Sequence, residues 1–255
     1  MEVFFLGTSA GWPLPRLGCN CNICTSSDSK DKRLRPSILI NKSYLIDAPP
    51  DIYHQLNIHQ LDPIKISHIL ITHSHDDHIM GLYDLSHIYE RENKIKLIAT
   101  MRVLSEMRKK VGVSMQSFNI EEAKPFKKVD LGNNNSCWFI PVKHGNIEAY
   151  AIKVKAAKPI VYAPEFRKIL PSSKKELGDI ELAIIDGSSK TSHGQAKGHE
   201  TIEEGIRLGK EIRAKKILFT NIGHKTDCHE NLLEFVRTEG SDKFGIAFDG
   251  LEIKL

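Results

Sequence analysis

The chain alternates between short, dense apolar runs and longer segments in which apolar residues recur every three or four positions. The runs predict strands near 2–6, 36–41, 43–47, 66–71, 96–100, 136–142, 147–154, 159–163, 180–185, 215–220 and 244–254. The pair 36–41 and 43–47 reads as a hairpin around Asn41-Lys42-Ser43. Helical periodicity predicts helices near 50–58, 79–91, 101–111, 200–213 and 227–237. Over 200–213, Ile202, Ile206, Leu208 and Ile212 fall roughly on one face. Gly205 and Gly209 weaken that helix but allow close packing. This pattern alone supports an α/β protein.

Composition narrows the class. A length of 255 residues fits one large domain or two small ones, and 40% apolar residues suffice for a sizeable core. No apolar run reaches the roughly 18 residues of a membrane span. The segment Met1-Glu2-Val3-Phe4-Phe5-Leu6-Gly7 lacks a basic leader and reads as a strand, so a cytoplasmic location is expected. The net charge of +4 permits an anionic substrate. Lysines and arginines are scattered, which argues against a nucleic-acid-binding stripe.

The chemistry concentrates where strand 66–71 ends. There the chain reads His73-Ser74-His75-Asp76-Asp77-His78, an H-x-H-x-D-H element directly after Ile69-Leu70-Ile71. Alternating His73 and His75 point the same way and can share one divalent ion, while Asp77 and His78 can serve a second as the chain turns. His144, after the apolar run Cys137-Trp138-Phe139-Ile140-Pro141-Val142, is a further imidazole at a strand end. Cys19, Cys21 and Cys24 form C-x-C-x-x-C, which in a reducing compartment reads as metal-binding before disulfide. His199 follows Gly194, Gln195 and Gly198 and precedes a predicted helix, a suitable setting for a proton donor. His193 and Lys143 are the alternatives. Asp186, after Leu182-Ala183-Ile184-Ile185, is a candidate to orient a metal-bound histidine.

These elements resemble the metallo-β-lactamase superfamily over nearly the whole chain, and more narrowly its phosphonate-operon cyclic phosphodiesterase branch. The resemblance runs through Leu6-Gly7-Thr8, the Gly18–Cys24 loop, Leu45-Ile46-Asp47-Ala48, the histidine element and Phe248-Asp249-Gly250-Leu251. It implies a single domain over residues 1–255 with the αββα four-layer sandwich. It further implies that His73, His75 and His144 hold a first metal. Asp77 and His78 then hold a second, and Glu165 bridges the two. The family has an aspartate where Glu165 stands, and a histidine where Asn221 stands. The second site is therefore expected to be the weaker, since an amide carbonyl is a poor zinc ligand. His224 becomes the fourth ligand of a structural zinc with the three cysteines. The implied cofactors are that zinc and one or two active-site divalent ions, zinc or manganese.

The implied activity is hydrolysis of a small anionic phosphodiester, cyclic ribose phosphates among them, by a metal-bound hydroxide, with Asp77 and His199 as catalytic groups. A homodimer is compatible with this reading. Alternatives are a tRNA 3′-processing endonuclease, for which no long basic arm is visible, or a regulatory protein with a degraded second metal site.

Overall fold

The computed structural model describes residues 1–88, 95–193, 195 and 197–255. The last three positions of the predicted helix 79–91, and Gly194, lie outside the described residues.

One sheet collects the strands β1 (Glu2–Gly7), β2 (Ser37–Ile40), β3 (Tyr44–Ile46), β4 (His68–Leu70), β5 (Lys96–Thr100) and β6 (Asn119–Ala123). The second is built from β7 (Lys128–Gly132), β8 (Asn135–His144), β9 (Ile147–Lys155), β10 (Pro159–Ala163), β11 (Lys168–Ile169), β12 (Ile180–Asp186), β13 (Ala214–Thr220) and β14 (Phe244–Ile246). The last strand, β15 (Glu252–Lys254), returns to the edge of the first sheet beside β1. The orders are β15-β1-β2-β3-β4-β5-β6 and β11-β8-β9-β10-β12-β13-β14, with β7 paired to β8. The helices are α1 (Asn22–Thr25), α2 (Ile52–Ile58), α3 (Asp76–Ile79), α4 (Leu82–Ile88), α5 (Met101–Val111), α6 (Pro171–Glu176), α7 (Ile202–Glu211) and α8 (His229–Glu239).

The second sheet is apolar on both faces, as a sheet covered on both sides must be. On β12, Leu182 and Ile184 join the core shared with the first sheet, while Ala183 and Ile185 join the core under α7 and α8. β10 alternates in the same way, Ile160 and Tyr162 against Val161 and Ala163. The layer order is therefore helix, sheet, sheet, helix. In α7 the expected close packing occurs. A Cβ on Gly205 would lie 2.5 Å from the Phe219 ring, and one on Gly209 would lie 2.4 Å from Ile217 Cδ1.

The hairpin at Asn41-Lys42 is tight. Both residues have positive φ, 51° and 56°, and the Ser43 amide donates to Ile40 O. That is the turn sense that suits twisted strands.

Three expectations need correction. The segment 244–254 is two strands in different sheets, because β14 pairs with β13 and β15 with β1. The helix starting near 79 is two pieces, α3 and α4, so the histidine element itself forms the first turn. Strands β6, β7 and β11 have no counterpart in the pattern-based assignment.

Candidate active site

The strands end at one rim, and the reactive side chains gather there. β4 delivers His73 and His75 just beyond its end, and α3 carries Asp77 and His78. β8 ends at His144, β10 leads to Glu165, β12 ends at Asp186, and β13 leads to Asn221. Both sheets thus contribute.

Two donor clusters result: His73, His75, His144 and Glu165, and Asp77, His78 and Glu165. His73 Nε2 lies 3.1 Å from His75 Nδ1, and His144 Nε2 lies 3.3 Å from His75 Nδ1. Glu165 Oε2 is 3.2, 3.6 and 2.9 Å from the inward nitrogens of His73, His75 and His144. Its other oxygen, Oε1, is 3.3 Å from His78 Nε2, which is 3.6 Å from Asp77 Oδ2. Donors about 2.0–2.1 Å from one tetrahedral ion stand ~3.3 Å apart, so both sets fit a divalent metal. The carboxylate faces one cluster with each oxygen.

Outer hydrogen bonds fix which nitrogen faces inward. His144 Nδ1–H donates to Gly198 O at 2.8 Å. His78 Nδ1–H donates to Asp47 Oδ2 at 2.8 Å. Thr72 spends its hydroxyl proton on Asp47, so His73 Nδ1–H donates to Thr72 Oγ1 at 2.9 Å. Three imidazoles therefore present Nε2 lone pairs to the clusters, the arrangement that second partners impose on metal-binding histidines. Asp47 is fully buried, with φ of 63°, and anchors two of these chains. The sequence contained it as the residue after β3, but its role depends on β3 and β4 being neighbours.

The electrostatics already favour a cation here. Burial disfavours a charged His78, yet Asp47, Asp77 and Glu165 outweigh it and raise its pKa well above the usual value. Burial likewise pushes Glu165 up, but His78 and the hydrogen-bonding imidazoles hold it well below the ordinary carboxylate range.

Asn221 is fully buried, has φ of 61°, and among the described residues neither its Oδ1 nor its Nδ2 has a hydrogen-bond partner. A buried amide left without partners costs stability unless something satisfies it. Its carbonyl oxygen is thus left free for an incoming group.

His199 stands edge-on to His144, ring centroids 4.8 Å apart. Asp186 accepts its Nδ1 proton. Asp186 therefore does not orient a histidine of the donor clusters, contrary to expectation; the register of β12 aims it at His199. Burial would depress the His199 pKa, but the Asp186 charge and hydrogen bond prevail and push it up to about 9. A cleft of about 390 Å³ exposes Asp77, Glu165, His75 and His199 together. His193 is exposed and Lys143 lines a different hollow, so neither faces this cleft.

The cysteines also converge. Cys19, Cys21, Cys24 and His224 offer donors within 4.8 Å of one another. Cys19 Sγ is 3.4 Å from Cys21 Sγ and 3.5 Å from His224 Nδ1. Sulfurs about 2.3 Å from a tetrahedral zinc would be ~3.7 Å apart, so this set fits zinc with little adjustment. Cys24 is pushed up to about 11 by burial, whereas hydrogen bonding from the Cys21 amide lowers Cys19. Cys137 is buried in β8 and Cys228 stands at the N-cap position of α8, and neither belongs to any of the three clusters.

Comparison with known proteins agrees with this architecture. Residues 42–222 match the profile of the beta-lactamase superfamily domain. The octanoyltransferase of Porphyromonas gingivalis is 26% identical over 268 residues, covering 99% of this chain and 51% of its own. The chain thus spans about half the length of that relative. A crystal structure of a diphosphatase from the PhnP family superposes with a TM-score of 0.88 at 24% identity, covering 100% of this chain and 97% of the other. Zinc-bound PqqB from Methylobacterium extorquens superposes at 0.84 with 20% identity, both chains being covered completely. With the profile spanning most of the sequence and two sheets enclosed by helices, the chain belongs to the beta-lactamase superfamily and has the metallo-β-lactamase fold.

Proposed function

We propose that the protein is a metal-dependent hydrolase of a small phosphodiester, cyclic ribose phosphates included. The observation that carries this reading is the placement of Glu165 between two donor sets inside a cleft that also exposes His199. His73, His75 and His144 would hold one divalent ion, Asp77 and His78 a second, with Glu165 shared and Asn221 completing the second set. Cys19, Cys21, Cys24 and His224 would hold a structural zinc. Residues 1–255 act as one domain in this reading, because ligands come from both sheets.

Divalent ions bound there would supply Lewis acidity toward phosphoryl oxygens and a more acidic water. The chain's own groups do the rest. Asp186 occupies His199 Nδ1, so the proton available to a leaving oxygen sits on Nε2. A pKa of about 9 keeps that imidazole protonated near neutrality. Three imidazoles and a carboxylate suit zinc, whereas the second set is richer in oxygen and suits zinc less well. The likeness to the PhnP-family diphosphatase supports a phosphoryl substrate.

The test is direct competition among a cyclic ribose phosphate, a phosphoanhydride diester and a precursor tRNA on metal-loaded protein. Preferential cleavage of the small cyclic diester is expected. Preference for precursor tRNA would replace this reading with RNA processing.

A further inference from the structure

Trp12 is 63% exposed, which is unusual for so large an apolar ring. It stands on a loop whose backbone is tied down on both sides of it. The Ala10 amide donates to Ile222 O at 3.1 Å, and Leu14 exchanges backbone hydrogen bonds with Arg33 at 2.7 and 2.9 Å. Arg35 Nε donates to Gly11 O at 3.0 Å, and the Ser9 hydroxyl donates to Trp12 O. The indole is thus presented to solvent from a fixed backbone.

That backbone belongs to the reactive rim. Ala10 and Gly11 line the cleft that exposes Asp77, Glu165 and His199. A Cβ on Gly11 would lie 3.0 Å from Asp77 Oδ2, so Trp12 follows directly on a residue that touches the second donor cluster. The Arg16 guanidinium lies 5.5 Å from the indole centroid, and its Nη1 is 3.2 Å from Nε2 of His224, another residue of the cleft wall. One side chain therefore spans the indole and the cleft. The Arg35 guanidinium lies 6.0 Å from the same centroid and is itself held by Asp51 at 2.8 Å. Two cations steady the ring through its π-electrons. Its exposure leaves ring surface open to a ligand.

We propose that Trp12 is a stacking platform that favours phosphodiesters whose non-reacting part carries a planar aromatic ring, a nucleobase above all. This deepens the phosphodiesterase reading and rests on it. In a nucleoside 2′,3′-cyclic phosphate the base stands across the ribose from phosphorus. A diester seated at Asp77 and Glu165 can therefore turn its base outward to the rim that carries the indole. Stacking on an indole is indifferent to which base is presented, because every base has a π face. A platform fixed before binding gives up little freedom when it is used.

The experiment compares adenosine 2′,3′-cyclic phosphate with methyl riboside 2′,3′-cyclic phosphate on the metal-loaded protein. The two differ only in carrying adenine or a methoxy group at the anomeric carbon. Trp12→Leu should raise KM for the nucleotide about tenfold more than for the riboside, the size expected of one base–aromatic stack. Trp12→Tyr, which keeps an aromatic face, should recover most of that difference. Tryptophan fluorescence gives a readout that needs no turnover. The chain has two tryptophans, and Trp138 lies inside β8. Saturable quenching by adenosine 3′-phosphate is expected in the parent and should be lost in Trp12→Leu. KM values that shift equally for both substrates, or stay where they were, overturn the platform. Quenching that is absent from the parent, or that survives in Trp12→Leu, overturns it as well. Quenching that depends on Trp12 in protein that cleaves neither diester would leave the platform standing and remove the phosphodiesterase reading.

Discussion

Asp186 accepts the Nδ1 proton of His199 at 2.8 Å, and its two oxygens are held in place by the amides of Phe166 and Ser188. A buried carboxylate with a fixed orientation thereby sets both the tautomer and the charge of an imidazole at the cleft.

His199→Ala should leave metal content nearly unchanged and reduce turnover by ~100- to 10,000-fold on a substrate with a poor leaving group. The loss should shrink for a nitrophenyl leaving group, which needs little protonation. Steady-state rates on two diesters differing only in leaving-group pKa decide the matter. An unchanged rate on the poor leaving group removes His199 from the chemistry.

Asn221→His should raise occupancy of the second metal position. The three imidazoles of the first set should retain an ion more firmly than Asp77, His78, Glu165 and an amide oxygen would retain theirs. Metal analysis during titration of stripped protein is the check. Equal, tight filling of both positions in the unmodified protein would contradict the ranking.

Cys21→Ser should lower stability, because a structural zinc contributes to folding directly. Zinc content should fall by about one ion per chain for a single lost site. Thermal unfolding with and without a chelator measures this; a variant as stable as the parent in zinc would show the four donors hold no ion.

Much of the site is legible in the sequence because it is local. His73, His75, Asp77 and His78 lie within one turn after a strand, and Cys19, Cys21 and Cys24 within one loop. What escapes is whatever depends on strand neighbours. Asp47 reaches His78 only because Ile46 pairs with Leu70, and Asp186 reaches His199 through the placement of β12. The 244–254 run reads as continuous, yet Gly250 with φ of 83° turns the chain between sheets. β6 has little apolar signal, Asn119-Ile120-Glu121-Glu122-Ala123, because it is an edge strand. β7 does alternate, burying Val129 and Leu131, but over too few residues to stand out.

A pH dependence of stability follows from the buried Arg33. Arg33 donates to His229 Nδ1 at 3.1 Å, and Asp249 lies close by on Thr8 and the Leu34 amide. Burial and Arg33 lower His229 to about 4, so its contribution is complete above about pH 6.5 and is lost as pH falls through about 4. Burial raises Asp249 to about 6, so its contribution is present below the ordinary carboxylate range and lost as pH rises through about 6. On acidification the two effects oppose. Asp249→Asn removes the compensating one, so its stability should fall more steeply between about pH 6 and about pH 4, by up to roughly 1.4 kcal/mol per pH unit. Urea unfolding across that range reads the slopes, and identical slopes would contradict the assignment.

The most direct test of the central claim is turnover of a small cyclic phosphodiester by one preparation, measured as purified, after chelation, and after metal is restored. Hydrolysis that disappears with the metal and returns with zinc or manganese is predicted, with His144→Ala failing to recover. Hydrolysis that persists in fully stripped protein, or fails to appear in protein shown to carry metal at both positions, would contradict it.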